Sequence, residues 1–108
     1  MERLFAHLYD IRKKPALYLT DKSLRLLRAY IDGYISGQDD TNHNGRSMRD
    51  FQRFIEKKFS SSRPQGQGWC MIIAYHSISE SYAFDRFFEL LDEFLQERGN
   101  EQDKQETQ

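Results

Sequence analysis

Cysteine, proline and long apolar runs are all scarce in this 108-residue chain. Its single cysteine, Cys70, has no second cysteine with which to form an internal disulfide. The longest uninterrupted apolar run, Trp69 to Tyr75, is far shorter than the roughly 20 residues that span a bilayer. The residues from Met1 to Phe5 also lack the basic and apolar regions of an export signal. We therefore expect a cytoplasmic protein with no disulfide and no membrane span.

Aromatic residues, by contrast, are plentiful, with eight Phe, six Tyr and one Trp. A large apolar side chain contributes roughly 1.5–3 kcal/mol when it is fully removed from water. A chain of this length with 38% apolar residues has enough material for one compact core and no room for a second. We predict a single helical domain over residues 1–99. Residues 100–108 contain no apolar side chain and are predicted to be a disordered polar tail.

The spacing of apolar residues predicts an all-α bundle of about five helices, because these residues recur at intervals of three and four. Candidate cap residues and helix breakers set the predicted boundaries near 3–13, 21–36, 47–59, 69–78 and 80–99. Ala16 to Leu19 is predicted to be a connector. A buried strand competes for Trp69 to Ile78, and we favour a helix because an isolated strand would have no sheet partner.

Hydroxyl and carboxylate side chains before these segments predict the helix starts. Thr20 or Asp21 is predicted to cap the second helix, and Ser47 the third. For the last helix the predicted cap is Ser79 or Ser81.

Charge is distributed unevenly, although the formal net charge is only -1. Residues 1–68 carry 13 Lys and Arg against 8 Asp and Glu, whereas residues 69–108 carry 3 against 9. The last predicted helix is apolar on one face, and its opposite face carries Asp85, Glu89, Asp92, Glu93 and Glu97. Arg86 is the only base between Glu80 and Glu97, so pairing within the helix cannot neutralise this acidic stripe. We interpret it as an exposed docking surface, against the alternative of an ordinary solvated helix face.

No spacing of reactive residues indicates a reaction centre or a metal site. Asp40 to Gly45 resembles the opening of a calcium loop, but Phe51 stands where that loop needs its bidentate Glu. The three histidines lie on separate predicted elements, and Cys70 and His76 are six residues apart on one helix, which separates their side chains. We therefore predict no catalytic residue, no metal and no cofactor. An enzyme with an unrecognised site stays open as a weaker alternative.

Basic residues in the middle of the chain give the main alternative function. Arg46, Arg49, Arg53, Lys57 and Lys58, together with Arg25 and Arg28, are of the kind that attracts phosphate. A small regulatory nucleic-acid-binding module that uses the helix over 46–58 is the runner-up hypothesis. We favour a solvated helix face instead, because the acidic C-terminal part would repel a phosphate backbone.

Residues 12–34 carry a family resemblance. The segment Arg12-Lys-Lys-Pro-Ala-Leu-Tyr-Leu19, a Ser at position 23, and Leu27-Arg-Ala-Tyr-Ile-Asp-Gly-Tyr34 resemble small bacterial immunity proteins of polymorphic-toxin and contact-dependent growth inhibition systems. Leu17 stands where that pattern commonly has Met, and Thr20 where it commonly has Gly. The resemblance implies a non-catalytic inhibitor that binds one cognate toxin, and it leaves open whether the protein is a homo-oligomer.

The acidic stripe agrees with that implied role. Toxins that cleave nucleic acid need cationic clefts, which an acidic helix can occupy in place of the phosphate chain. The residues predicted to contact the partner are Asp85, Glu89, Asp92 and Glu93, with Asp39 and Asp40 on the preceding loop as secondary candidates. Tyr18, Tyr30 and Tyr34 are assigned to packing between helices rather than to a ligand pocket.

Overall fold

The chain folds into six helices within residues 2–37, 44–60 and 66–106, the part that the computed structural model describes. These are α1 (Arg3–Lys13), α2 (Pro15–Leu19), α3 (Leu24–Ser36), α4 (Asn44–Lys58), α5 (Trp69–Tyr75) and α6 (Glu80–Glu106). No strand occurs in those ranges. The predicted all-α, single-domain class is confirmed, with one short helix more than the five expected. None of the described helices is both long enough and apolar enough to cross a bilayer.

The extra helix, α2, lies where a connector was predicted. Pro15 ends α1 but occupies the first position of α2, where no backbone N–H is needed and its fixed φ suits the helix. At the other end of α2, Thr20 has φ 71°. That is left-handed backbone, which a β-branched residue adopts only under strain.

The start of α3 is held by residues from two helices. Ser23 Oγ accepts a hydrogen bond from the Leu26 N–H at 3.3 Å, so Ser23 is the cap and the prediction of Thr20 or Asp21 is wrong. Glu80, the first residue of α6, accepts from the Ser23 hydroxyl at 2.8 Å and from the Arg25 N–H at 3.2 Å. A carboxylate from the far end of the chain thus satisfies free donors at the start of α3.

Two predicted helix ends are also wrong. Helix α4 begins at Asn44, so Ser47 lies inside it, where its buried hydroxyl donates to Glu2 instead of capping the helix. Helix α6 continues past Gly99 to Glu106, within the segment 100–108 for which a disordered tail is predicted; residues 107–108 lie outside the described residues. A glycine weakens a helix by only about 1 kcal/mol, and the Glu, Gln and Lys residues that follow are good helix formers.

The core joins α4, α5 and α6 through aromatic rings. Phe51 is fully buried, and Trp69, Phe87 and Phe94 pack edge-on against it with ring centroids 5.4–5.8 Å away. Edge-to-face pairs add roughly 0.5–1.5 kcal/mol beyond the area they bury. The apolar face of α6 therefore lies inward, and its acidic side faces away from the core.

A second aromatic group joins α1, α2 and α3. His7 lies among Tyr18, Tyr30 and Tyr34, with ring centroids 5.4 Å, 5.4 Å and 5.6 Å away. A hydrogen bond of 2.5 Å links His7 Nε2 to the Tyr30 hydroxyl. The three tyrosines pack helices together, as predicted, around a histidine that the sequence analysis had not included.

Replacing Thr20 by Gly should stabilise the protein, because glycine adopts positive φ without strain. The expected gain is up to about 1 kcal/mol, once the extra flexibility of glycine in the unfolded chain is subtracted. Urea denaturation measures it. Thr20→Ala is the matched control, since alanine retains most of the strain. An equal gain in both variants would contradict this explanation.

The charge of Glu80 should stabilise the protein only above acidic pH. Partial desolvation raises the pKa of Glu80. The hydrogen bonds from Arg25 and Ser23 and the charge of Arg25 together lower the pKa by a larger amount, so the net shift is downward. A lowered pKa in the folded state gives stability that is present above the usual value of 4.5 and is lost as the pH falls through the lowered value.

We expect Glu80→Gln to melt at a lower temperature than the wild type at pH 7, and we expect this difference to disappear as the pH falls through the lowered pKa of Glu80. Thermal melts over this pH range measure the difference. Glu97→Gln removes an exposed carboxylate of the same helix that makes no such hydrogen bond among the described residues, and it serves as the control. A Glu80→Gln deficit that persists unchanged at the acidic end would show that the charge is not responsible.

Candidate partner-binding surfaces

The acidic stripe of α6 is paired with cations of the same molecule. Each of its four main carboxylates has one basic partner: Lys22 lies 2.8 Å from Asp85, Arg86 lies 3.0 Å from Glu89, Arg12 lies 3.2 Å from Asp92, and Lys58 pairs with Glu93. Three of these partners come from outside α6. The expectation that the stripe is uncompensated is therefore wrong, because pairing within one helix does not include cations that tertiary folding brings from elsewhere.

Asp92 is the most firmly held member of the stripe. Besides its pair with Arg12, it accepts a hydrogen bond of 2.6 Å from the Tyr9 hydroxyl of α1. Burial, together with this hydrogen bond and the negative charge of Asp92, raises the pKa of Tyr9, so the tyrosine remains a donor. Asp92 thus contributes to the attachment of α1 to α6.

The carboxylates nevertheless remain accessible. The Asp85, Glu89, Asp92 and Glu93 side chains are about half exposed in their pairs. Ion pairs this exposed contribute roughly 0–1 kcal/mol, so a partner can replace them at little cost. Their role as partner contacts stays a prediction. The secondary candidates Asp39 and Asp40 lie outside the described residues.

An exposed group of apolar side chains lies where α5 meets α6, and its exposure is not predicted from the sequence. Ile78 is 92% exposed, Tyr75 64%, Met71 54% and Tyr82 48%. The prediction had placed Ile78 inside a buried helix, but α5 ends at Tyr75, which leaves Ile78 in the turn before α6. The serines that flank Ile78 were the available signal for this turn. We call Ile78 and Tyr82 the apolar head of α6.

The apolar head adjoins the acidic stripe. Tyr82, Asp85 and Glu89 are spaced i, i+3 and i+7 along α6 and so share one face of the helix. Ile78 lies directly before the first turn of the same helix. One side of α6 therefore presents the exposed Tyr82 in its first turn and carboxylates further along, and the exposed Ile78 lies in the turn that leads into this helix.

The exposed side of α4 is basic. Arg46, Arg49, Arg53 and Lys57 are spaced i, i+3, i+7 and i+11, which places them on one face over about 16 Å. Arg53 lies 3.5 Å from Asp50, whereas no carboxylate pairs with the other three among the described residues. The remaining cations of the sequence hypothesis, Arg25 and Arg28, belong to α3, where Arg28 pairs with Asp32. The free positive charge of this region is thus concentrated on α4.

The potentially reactive side chains are engaged in packing. Cys70 is buried, and burial raises the pKa of its thiol, so the reactive thiolate is disfavoured. His76 Nδ1 is hydrogen-bonded to the Ile72 carbonyl at 2.9 Å, and its ring lies 4.6 Å from that of Phe59. Within the described ranges, no three His, Cys, Asp or Glu side chains come together as ligands for a metal ion. Residues 40–43 of the calcium-like segment, which include His43, fall outside those ranges.

Comparisons with protein-family models, with curated proteins and with solved structures find no match to this chain.

Proposed function

We propose that this chain is a non-catalytic immunity protein that acts in the cytoplasm, where it binds and neutralises a cognate bacterial toxin of nuclease type. The observation that carries the proposal is the apolar head of α6 beside the acidic stripe. The resemblance of residues 12–34 to immunity proteins supports the same role.

The apolar head supplies the anchors that a protein interface requires. Ile78 is almost fully exposed and so contributes little to the core. Exposed apolar groups beside charged residues are typical of protein interaction sites, since a few buried anchors provide most of the binding energy and a polar rim surrounds them. Tyrosine is enriched among such anchors, and Tyr82 adjoins the stripe.

The acidic stripe supplies the polar part of the interface. A cationic toxin cleft can take over Asp85 and Glu93 from Lys22 and Lys58, because these exposed pairs are weak. The internal cations reduce the long-range field of the stripe, so its main contribution is specificity on contact rather than attraction from a distance.

Replacing Ile78 by Asp should weaken toxin binding by at least about tenfold, because a carboxylate cannot fill an apolar pocket of the partner. The protein is tested for co-purification with the C-terminal domain of a secreted toxin encoded next to it. Calorimetry then measures the affinity of each variant for that domain. Leu17→Asp is the matched control, since Leu17 is 71% exposed and belongs to α2.

Equal losses of affinity in both variants would show that Ile78 is not part of the interface. If the wild-type protein binds no such domain and gives no protection against it, the proposed function is wrong.

Reversing Glu89 and Asp92 together to Lys should weaken protection and slow association with the toxin at low salt. The two carboxylates become positive charges that face a cationic cleft. Stopped-flow association at several salt concentrations measures the effect. Asp10→Lys with Asp21→Lys is the charge-matched control on other elements. Unchanged affinity at low salt would exclude the stripe from the contact.

A further inference from the structure

A groove of about 430 Å³ lies between α4 and α6, near the C-terminal half of α6. Phe54 and Phe94 line it, with ring centroids 5.5 Å apart. Arg53 and Lys57 line its α4 side. We call this the α4–α6 groove. It combines an apolar floor with a basic edge.

Its basic edge is available to a ligand. Arg53 lies 3.5 Å from Asp50, and its side chain is 79% exposed, so this pair is weak. Lys57 is exposed and has no carboxylate partner among the described residues. Two cations can therefore bind incoming carboxylates without breaking a strong internal contact.

The chemistry of the groove favours a protein ligand over nucleic acid. Asp50 and Glu97 also line it, and they would repel the continuous charge of a phosphate chain. A protein segment, by contrast, can place its carboxylates only where Arg53 and Lys57 lie.

The aromatic floor also lacks the geometry for base stacking. Lys58 Nζ lies 5.9 Å from the ring centroid of Phe54, and Arg98 Cζ lies 5.6 Å from that of Phe94. Each ring thus already has a cation over one face, and Phe94 is otherwise buried. Single-stranded nucleic acid gains much of its affinity by stacking bases on open aromatic faces. The floor suits an aliphatic side chain better than a base.

We propose that the α4–α6 groove binds an acidic, amphipathic protein segment, with an apolar side chain against the half-buried ring of Phe54 and carboxylates at Arg53 and Lys57. This goes beyond the proposed function and adds a second contact surface. Tyr82 and Glu97 are separated by about 22 Å along α6, so the groove is distinct from the apolar head.

The test uses the full chain and a fluorescein-labelled peptide of about 12 residues that alternates pairs of Glu and Leu. Fluorescence anisotropy measures binding of this peptide, of an equally charged peptide with Ser in place of Leu, and of an RNA of similar length. We expect the Glu/Leu peptide to bind most tightly. Arg53→Glu with Lys57→Glu should weaken its binding at least about tenfold.

The control is Lys13→Glu with Lys14→Glu, which makes the same change of charge at two exposed positions, the last residue of α1 and the residue after it. It should change affinity less than about twofold. Circular dichroism checks that both variants fold. Tighter binding of the RNA, equal losses in both variants, equal binding of the Ser peptide, or no binding of the Glu/Leu peptide would each overturn the proposal. No toxin is involved, so this result is independent of the proposed function.

Discussion

Close packing around Phe51 determines how the three central helices face one another. Its ring meets Trp69, Phe87 and Phe94 edge-on, and these rings belong to α4, α5 and α6. Protein interiors are packed as densely as organic crystals, so none of the three helices can rotate about its axis without opening a void. This constraint holds the acidic side of α6 and the basic side of α4 outward. Both proposed binding surfaces depend on it.

Surface charge follows from the fold rather than from the charge of each helix. Where helices of opposite charge meet, their side chains pair across the contact, as Lys58 does with Glu93 and Arg12 with Asp92. Away from these contacts, Arg46, Arg49 and Lys57 of α4 have no carboxylate partner within the part of the chain that the structure describes. The carboxylates of α6 thus remain accessible, but their paired cations leave little long-range electrostatic potential. This favours recognition on contact over long-range steering.

Helix existence could be predicted because it depends on local spacing. Phe84, Phe87, Phe88 and Leu91 recur at three and four residues, and all four are buried. Helix ends were predicted less well. Ser47 is of a residue type that commonly caps helices, but its hydroxyl donates a hydrogen bond to Glu2 instead. Helix α3 is capped by Ser23 with help from Glu80. A cap depends on which donors and acceptors meet in space, and residues 57 positions apart give no local signal of meeting.

The amino-acid sequence alone determined the all-α class, the inward face of α6 and the carboxylates on its outer side, because helical periodicity is a property of neighbouring residues. Tertiary structure decided which charges are paired, that Ile78 is exposed, and that Phe54 and Phe94 line a groove with a basic edge. Those properties depend on distances between residues of different helices. Such distances are determined by how side chains of different helices pack together.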